Sequence, residues 1–416
     1  MSRPMKDSGV EWLGEIPADW EIIKTKNFYS HRKEIAGELA DNYQRLALTL
    51  NGVIKRSKDD SIGLQPEAFN SYQVLRENEL VFKLIDLANV ATSRVGYSPY
   101  TGIVSPAYIV LRPYKKDESK FGEYYFLSMW QREIFNHIGD DGVRSSLNAG
   151  DLLNLPYIFA PDDEKKRIAT FLDGECARID SVIEKTRASI VEYKKLKQAI
   201  ITRAVTKGIR PARPMKDSGV EWLGEIPADW EIKKLKYISR FMQTKYSKED
   251  GKLNYIGLEN IVSWNGKFIE TDSVYDIEQS LICEAGDILF GKLRPYLAKV
   301  YLNTNKQCCS GEFAVIRISD SVCRRFFFYQ FMSHGFIFMV DRSTYGTKMP
   351  RANADFIKNI CVVVPPMEEQ KEIAQYLDEK TTAIDLLVEK KKQLATELER
   401  LKKSLIFEYV TGKKEI

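Results

Sequence analysis

The run GDILFGKLRPYLAKV places Lys292, Arg294, Tyr296 and Lys299 close together, at and beyond the end of an apolar stretch. Cations with an aromatic among them suit contact with phosphates, whose charge Lys and Arg neutralise. The stretch Ser343–Arg351 adds hydroxyls and cations around a glycine: Thr344, Tyr345, Thr347, Lys348 and Arg351. The first half of the chain offers Lys83, Asn89, Ser93, Arg94 and Tyr97 in the roughly corresponding region, then Arg144, Ser145 and Ser146. Guanidinium, amide and hydroxyl groups can read base edges. Cations at strand ends are equally what a solvated surface carries.

Catalytic patterns are weaker. Asn154-Leu155-Pro156-Tyr157 looks like the Asn/Asp-Pro-Pro-Tyr/Phe tetrapeptide of adenine-N6 methyltransferases, but its second proline is absent and the later copy has Asn359-Ile360-Cys361-Val362 there. No glycine-rich strand-to-helix turn for a methyl donor accompanies it, so a core strand is expected. Pro161-Asp162-Asp163-Glu164-Lys165-Lys166 superficially looks like a metal-dependent nuclease motif. Such ligands come from separate strands, whereas acidic residues at a helix start complement the macrodipole. No GxxxxGK[ST] loop and no HExxH occurs, and His31, His137 and His334 are too few for a histidine-based triad to stand out. Cys176, Cys283, Cys308, Cys309, Cys323 and Cys361 form no CxxC pair, which argues for reduced, buried thiols and no metal site. No cofactor is expected in this chain.

At 416 residues, 44% hydrophobic and 29% charged, the composition is that of an ordinary globular protein of two to three domains. The net charge of +4 supports neither DNA nor membrane binding by itself, so charge placement has to carry that argument. The start lacks an apolar signal-like segment and no long apolar run follows, which leads to an expected cytoplasmic location without membrane contact.

The elements that must position these residues come in two copies. RPMKDSGVEWLGEIPADWEI stands at Arg3–Ile22 and again, unchanged, at Arg213–Ile232. A period of this length signals duplication of a whole domain. Each copy continues with short β-type runs: LALTL, YIVLRP and YIFAP in the first, NYIGLENI, GDILFGKL, FAVIRI and ICVVVPP in the second. Aromatic helical stretches, GEYYFLSMWQREIFNHI and RRFFFYQFMSHGFIFMV, lie among them.

Each copy then changes period. Ile168, Leu172, Ile179, Val182, Tyr193, Leu196 and Ile200 fall on a four-three spacing, and Ile373, Leu377, Ile384, Leu387, Leu394, Leu398, Leu401 and Leu405 repeat it. Polar residues hold the other seam positions: Glu175, Thr186, Ser189, Lys380 and Lys391. They could fix register, or mark where a partner's helices enter. Leu172-Asp173 matches Leu377-Asp378, and Ile179-Asp180 matches Ile384-Asp385. Each helix would span roughly 60 Å at 1.5 Å per residue. The simplest cover for one apolar stripe is the other, and the intervening globular domain lets the pair run antiparallel.

Together, DSGVEWLGEIPADWEI occurring twice and VPPMEEQKEIAQYLD at the second helix resemble the specificity subunit of type I restriction–modification enzymes, over the whole chain. APDDEKKRIATFLD at the first helix departs from the family's double proline and Glu-Gln, keeping Pro161, Glu164 and Lys166. The resemblance implies an α+β fold in which two target recognition domains alternate with two long helices, paired as an antiparallel coiled coil with pseudo-twofold symmetry. The expected boundaries are 1–160 and 211–364 for the recognition domains, and 161–210 and 365–416 for the spacer helices.

It also implies that each domain reads half of a split double-stranded DNA site, and that the helices set the spacing and dock two modification subunits. Two restriction subunits would join for cleavage. Methylation and cleavage, with S-adenosylmethionine, ATP and Mg, would belong to those partners, leaving this chain non-catalytic. The rival reading is a protein-interaction scaffold with a coiled-coil spacer. Salt dependence separates the two, since phosphate contacts weaken steeply as salt rises.

Overall fold

The computed structural model describes residues 3–60, 68–85, 87, 94–138, 146–247, 251–271, 280–346 and 348–416. The helices are α1 (Glu118–Gln131), α2 (Ala149–Asn154), α3 (Asp162–Lys207), α4 (Arg324–Phe331), α5 (His334–Arg342), α6 (Ala354–Asn359) and α7 (Met367–Val410). Two compact units result: Met1–Thr186 with Gln393–Ile416, and Arg187–Lys392. Each contains the start of one long helix and the end of the other.

In the first unit, alternating apolar runs make a four-stranded antiparallel sheet in the order Tyr29–His31, Ile109–Pro113, Leu80–Phe82, Val95–Tyr97. Leu80, Phe82 and Leu111 from this sheet share one core with Phe121, Phe126 and Met129 of α1. The second unit repeats the sheet with Ser239–Met242, Phe313–Ile318, Ile288–Gly291 and Val300–Leu302. Its aromatic stretch forms two helices, α4 and α5, because Ser333 caps the second by accepting from Phe336 N–H.

The identical blocks fold identically. Met5–Asp7 pairs with Glu15–Pro17, and Met215–Asp217 with Glu225–Pro227. The strand after each block, Glu21–Lys24 or Glu231–Lys234, pairs antiparallel with the strand preceding the long helix, Pro156–Phe159 or Cys361–Val364. A carboxylate in the helix's first turns closes the loop. Trp20 Nε1–H donates to Glu164 at 3.0 Å and Arg3 pairs with both Glu164 and Asp19. Trp230 Nε1–H donates to Glu369 at 3.1 Å, and Arg213 pairs with Glu369 and Asp229. The Arg3 bond holds the Asp19 carboxyl below the usual range; at Asp229 burial pushes upward, but the Arg213 bond and nearby positive charge outweigh it and the carboxyl is again lowered. A second repeated bond docks the short helix: Tyr124 donates to Asp173 at 2.7 Å, and Tyr329 to Asp378 at 2.6 Å.

The long helices pair antiparallel within each unit. In the first, Phe171 meets Tyr409 at 4.6 Å between ring centroids, while further along α3 Asp180 pairs with Lys402 at 2.6 Å. In the second, Lys391 lies 5.6 Å from the Tyr193 ring and Lys197 pairs with Asp385 at 2.8 Å.

The seam differs from the sequence expectation at alternate positions. Ile168, Leu172, Ile179, Ile373, Leu377 and Ile384 are buried, and Tyr193, Ile200, Leu398 and Leu405 are half-buried. Val182, Leu196, Leu387, Leu394 and Leu401, expected in the seam, are instead 40, 47, 43, 43 and 52% exposed. Their neighbours Ile183, Lys197, Val388 and Ala395 are buried in their place. The buried arc thus turns by one residue. One cause is that the helices also pack on the domain cores, with Leu172 and Cys176 in one and Ala374 and Leu377 in the other. Another is that the aliphatic stem of Lys197 is covered while its amine meets Asp385.

Glu369→Ala removes one of the two carboxylate partners of Arg213 and leaves a buried indole N–H without its acceptor, so it should cost about 3 kcal/mol. Glu369→Gln still accepts the indole proton and should cost only about 1 kcal/mol. Denaturant unfolding of the full chain measures both, and equal costs would contradict the charge-paired clamp.

Candidate nucleic-acid interface

Backbone pairing brings the two candidate loops of the second unit side by side. Leu293 bridges Arg351, and Arg351 in turn bridges Tyr345. Arg294 N–H donates to Pro350 O at 2.7 Å and Ala352 N–H to Lys292 O at 2.9 Å. This sets exposed Arg294, Tyr296, Tyr345, Lys348 and Arg351 on one joined pair of loops, with Thr344 partly covered at its edge. Thr344 spends its hydroxyl on Asp341 O at 2.8 Å, and Arg351 pairs with Glu312.

The first unit has the same junction with different residues. Ile85 bridges Ser146, and Leu147 N–H donates to Leu84 O at 2.9 Å. Lys83 stands at the start of this loop, its N–H donating to Arg94 O at 3.0 Å. Asn89, Ser93, Arg144, Ser145 and Thr347 lie outside the described residues.

Several candidate side chains are spent on the fold. Arg94 is buried, with its guanidinium donating to Leu87 O at 2.7 Å. Tyr97 is half-buried: its hydroxyl bonds Asn78, its ring carries the Lys120 ammonium at 4.2 Å, and burial pushes its pKa up. Lys299 reaches inward, donating to Leu258 O at 2.7 Å and Ile261 O at 3.0 Å. Burial lowers the pKa of Lys299, and likewise of half-buried Lys292.

The sequence reading missed the support beneath the loop. Trp264 donates its N–H to Ala298 O at 3.3 Å and its Nε1–H to Tyr296 O at 3.0 Å, and stacks on His334 at 5.7 Å. Trp264-Asn265-Gly266 carries a turn signal, but nothing local announces which strand end it supports. Gly266 has φ +71°, and a Cβ there would lie 2.9 Å from Val300 O, so the approach requires glycine.

The residues weighed for catalysis have structural roles. Asn154 Nδ2 donates to Gly150 O at 2.9 Å, while buried Tyr157 donates to Glu118 at 2.8 Å. Asp162 pairs with Lys115 and Lys165 at the start of α3. Among the described residues no group of three His, Cys, Asp or Glu side chains is placed to hold a metal ion. No described helix is long and apolar enough to cross a membrane.

The frame and its paired loops are built twice in one chain, and comparison with known proteins shows what this arrangement is similar to. Residues 227–396 match the family described as type I restriction modification DNA specificity domain. Across 420 residues it is 24% identical to the type I restriction enzyme MjaVIII specificity subunit of Methanocaldococcus jannaschii, covering 96% of this chain and 93% of that one. The EcoDI specificity subunit of Escherichia coli is 23% identical over 430 residues, covering 96% and 89%.

Solved structures share the fold. One, described as the structural basis of complex assembly and conformational transition of the type I R-M system, covers 96% of this chain and 99% of its own with TM-score 0.71 at 14% identity. The HsdS subunit from Thermoanaerobacter tengcongensis covers 96% and 98%, with TM-score 0.54 at 15% identity. The chain is thereby similar, along nearly its whole length, to type I restriction enzyme specificity subunits.

Lys299→Ala removes two internal bonds and is expected to destabilise the chain by about 2 kcal/mol. Lys348→Ala, at an exposed loop position, should stay within about 0.5 kcal/mol of the parent. Denaturant titration compares them, and a neutral Lys299→Ala would show that its amine is not holding the loop.

Proposed function

We propose that the chain is the non-catalytic specificity subunit of a type I restriction–modification complex, reading an asymmetric, bipartite double-stranded DNA site with one recognition domain per half-site. The observation that carries this is the loop junction built twice on one frame, Ile85 to Ser146 and Leu293 to Arg351, with different side chains in each copy. Two readers of different base sequences need equivalent scaffolds and unlike contact residues. In this reading the recognition domains are 1–160 and 211–364, and the paired helices fix the spacing between half-sites.

The helices would also dock two modification subunits. Exposed Val182, Leu394 and Leu401 in the first unit, and Leu196, Leu386 and Leu387 in the second, offer each of them an apolar surface. Those subunits would methylate adenine with S-adenosylmethionine, and two restriction subunits, using ATP and Mg, would cut. The cytoplasm, where such a complex meets DNA, is the proposed location.

Binding of the full chain, with its modification subunit, to its duplex site should fall linearly on a log–log plot against salt, with Lys348→Ala reducing the slope by about 1. A salt-independent affinity would favour the protein-scaffold reading.

Exchanging residues 23–160 for those of a relative should change one half-site in a methylation map and leave the other intact. Simultaneous change in both would contradict modular reading. Inserting seven residues at matched points in α3 and α7 adds about 10 Å of helix, close to three base pairs at ~3.4 Å each, so the permitted spacer should lengthen. An unchanged spacer would refute the helical ruler.

A further inference from the structure

Asp385, on α7 in the second unit, is shared by partners from two different elements. Lys197 of α3 approaches its two oxygens at 2.8 and 2.9 Å. From the recognition domain, Asn265 Nδ2 donates to Oδ2 at 3.0 Å, and Lys267 Nζ lies 3.7 Å from the same oxygen. The repeat-equivalent Asp180 is met by Lys402 at 2.6 Å, and among the described residues no recognition-domain side chain joins that pair. Accordingly, the Asp385 side chain is 18% exposed and the Asp180 side chain 55%.

Asn265 and Lys267 belong to the turn that supports the Arg294–Ala298 loop. Val262 N–H donates to Lys267 O at 2.9 Å and Gly266 N–H to Val262 O at 3.2 Å, closing the turn. Trp264, inside it, binds the carbonyls of Tyr296 and Ala298. Arg294 and Ala298, flanking Pro295–Leu297, have φ +49° and +46°. Non-glycine residues in this left-handed region are disfavoured, so the loop keeps its shape because its surroundings hold it. Trp264 itself has φ +58°, so the support is strained as well.

We propose that Asp385 is a positioning residue for DNA selectivity: by anchoring the Trp264–Lys267 turn to α7, it orients Arg294 and Tyr296 toward the half-site read by the second domain. This rests on the half-site reading given above. Asp385 acts through the turn and touches no base. Its bond to Lys197 alone would make it only a helix staple, and the two roles separate experimentally. Lys197→Leu/Asp385→Leu replaces the ion pair by apolar side chains, an exchange that helix packing commonly tolerates. It leaves Asn265 and Lys267 without their anchor.

Full-length parent, Asp385→Ala, Asp385→Asn, Lys197→Leu/Asp385→Leu, Trp264→Phe and Asp180→Ala chains are each co-produced with the modification subunit, and genomic adenine methylation is mapped. The second half-site is assigned by exchange of residues 211–364. Asp385→Ala, the double variant and Trp264→Phe should raise methylation at sites with one mismatch in the second half-site by about tenfold, with the first half-site unchanged. Asp385→Asn, whose amide oxygen still accepts from Asn265, should restore most of the selectivity, and Asp180→Ala should retain both half-sites.

Parent-like selectivity in the double variant, or equal relaxation of both half-sites by Asp385→Ala and Asp180→Ala, would overturn the proposal. Trp264→Phe leaves the Lys197–Asp385 pair in place, so parent-like selectivity there counts against it even if the double variant fails to fold. A parent chain giving no split motif would remove the half-site reading, and this proposal with it; that arm carries no substitution, so the two failures are distinguishable.

Discussion

One carboxylate in the first turns of each long helix holds the rest of its unit in place. Glu164 and Glu369 each accept an indole N–H and an arginine from the duplicated block. The chain leaving the block pairs at once with the strand that leads into the helix, so this contact closes a loop spanning the whole recognition domain. Trp20 and Trp230 are fully buried, and a buried indole N–H without an acceptor is costly. Block and helix start therefore constrain one another, while the residues between them need only supply a core and a sheet. This accounts for an identical block beside inserts that differ.

Legibility in the sequence followed the range of the interactions. The duplicated frame could be read because its anchors are short matched strings, and the structure gives those strings roles. Asp173 and Asp378 accept from Tyr124 and Tyr329, and Asp180 and Asp385 each meet a lysine of the opposing helix. Glu164, retained where the first helix departs from the family pattern, is the residue the clamp requires. The seam could be read only to within one position. Heptad spacing assumes that a helix faces one partner, and here each helix also faces a domain core, which takes in Leu172 and Cys176 of one helix and Ala374 and Leu377 of the other.

The candidate interface was least legible. The meeting of the Lys292–Ala298 and Tyr345–Arg351 loops is made by backbone pairing between distant segments, to which side-chain type gives no clue. Nor does an exposed-looking cation declare its direction. Lys299 turns inward to two carbonyls and Arg94 to one, whereas Arg294 and Lys348 stay exposed. The left-handed conformations of Arg294 and Ala298 cost about 1–2 kcal/mol each and are maintained by surrounding bonds. Such a loop presents its side chains in one arrangement before any ligand arrives, which favours discrimination. The same ion pair, used twice between the helices, is buried only where the recognition domain adds its own bonds to the carboxylate.

The most direct test of DNA reading by this frame is a map of adenine methylation in cells producing the chain with its modification subunit, against cells lacking the chain. One new asymmetric motif of two short half-sites separated by a fixed gap is expected. Absence of any new motif, with the modification subunit shown to be present and bound, would contradict DNA reading by this frame.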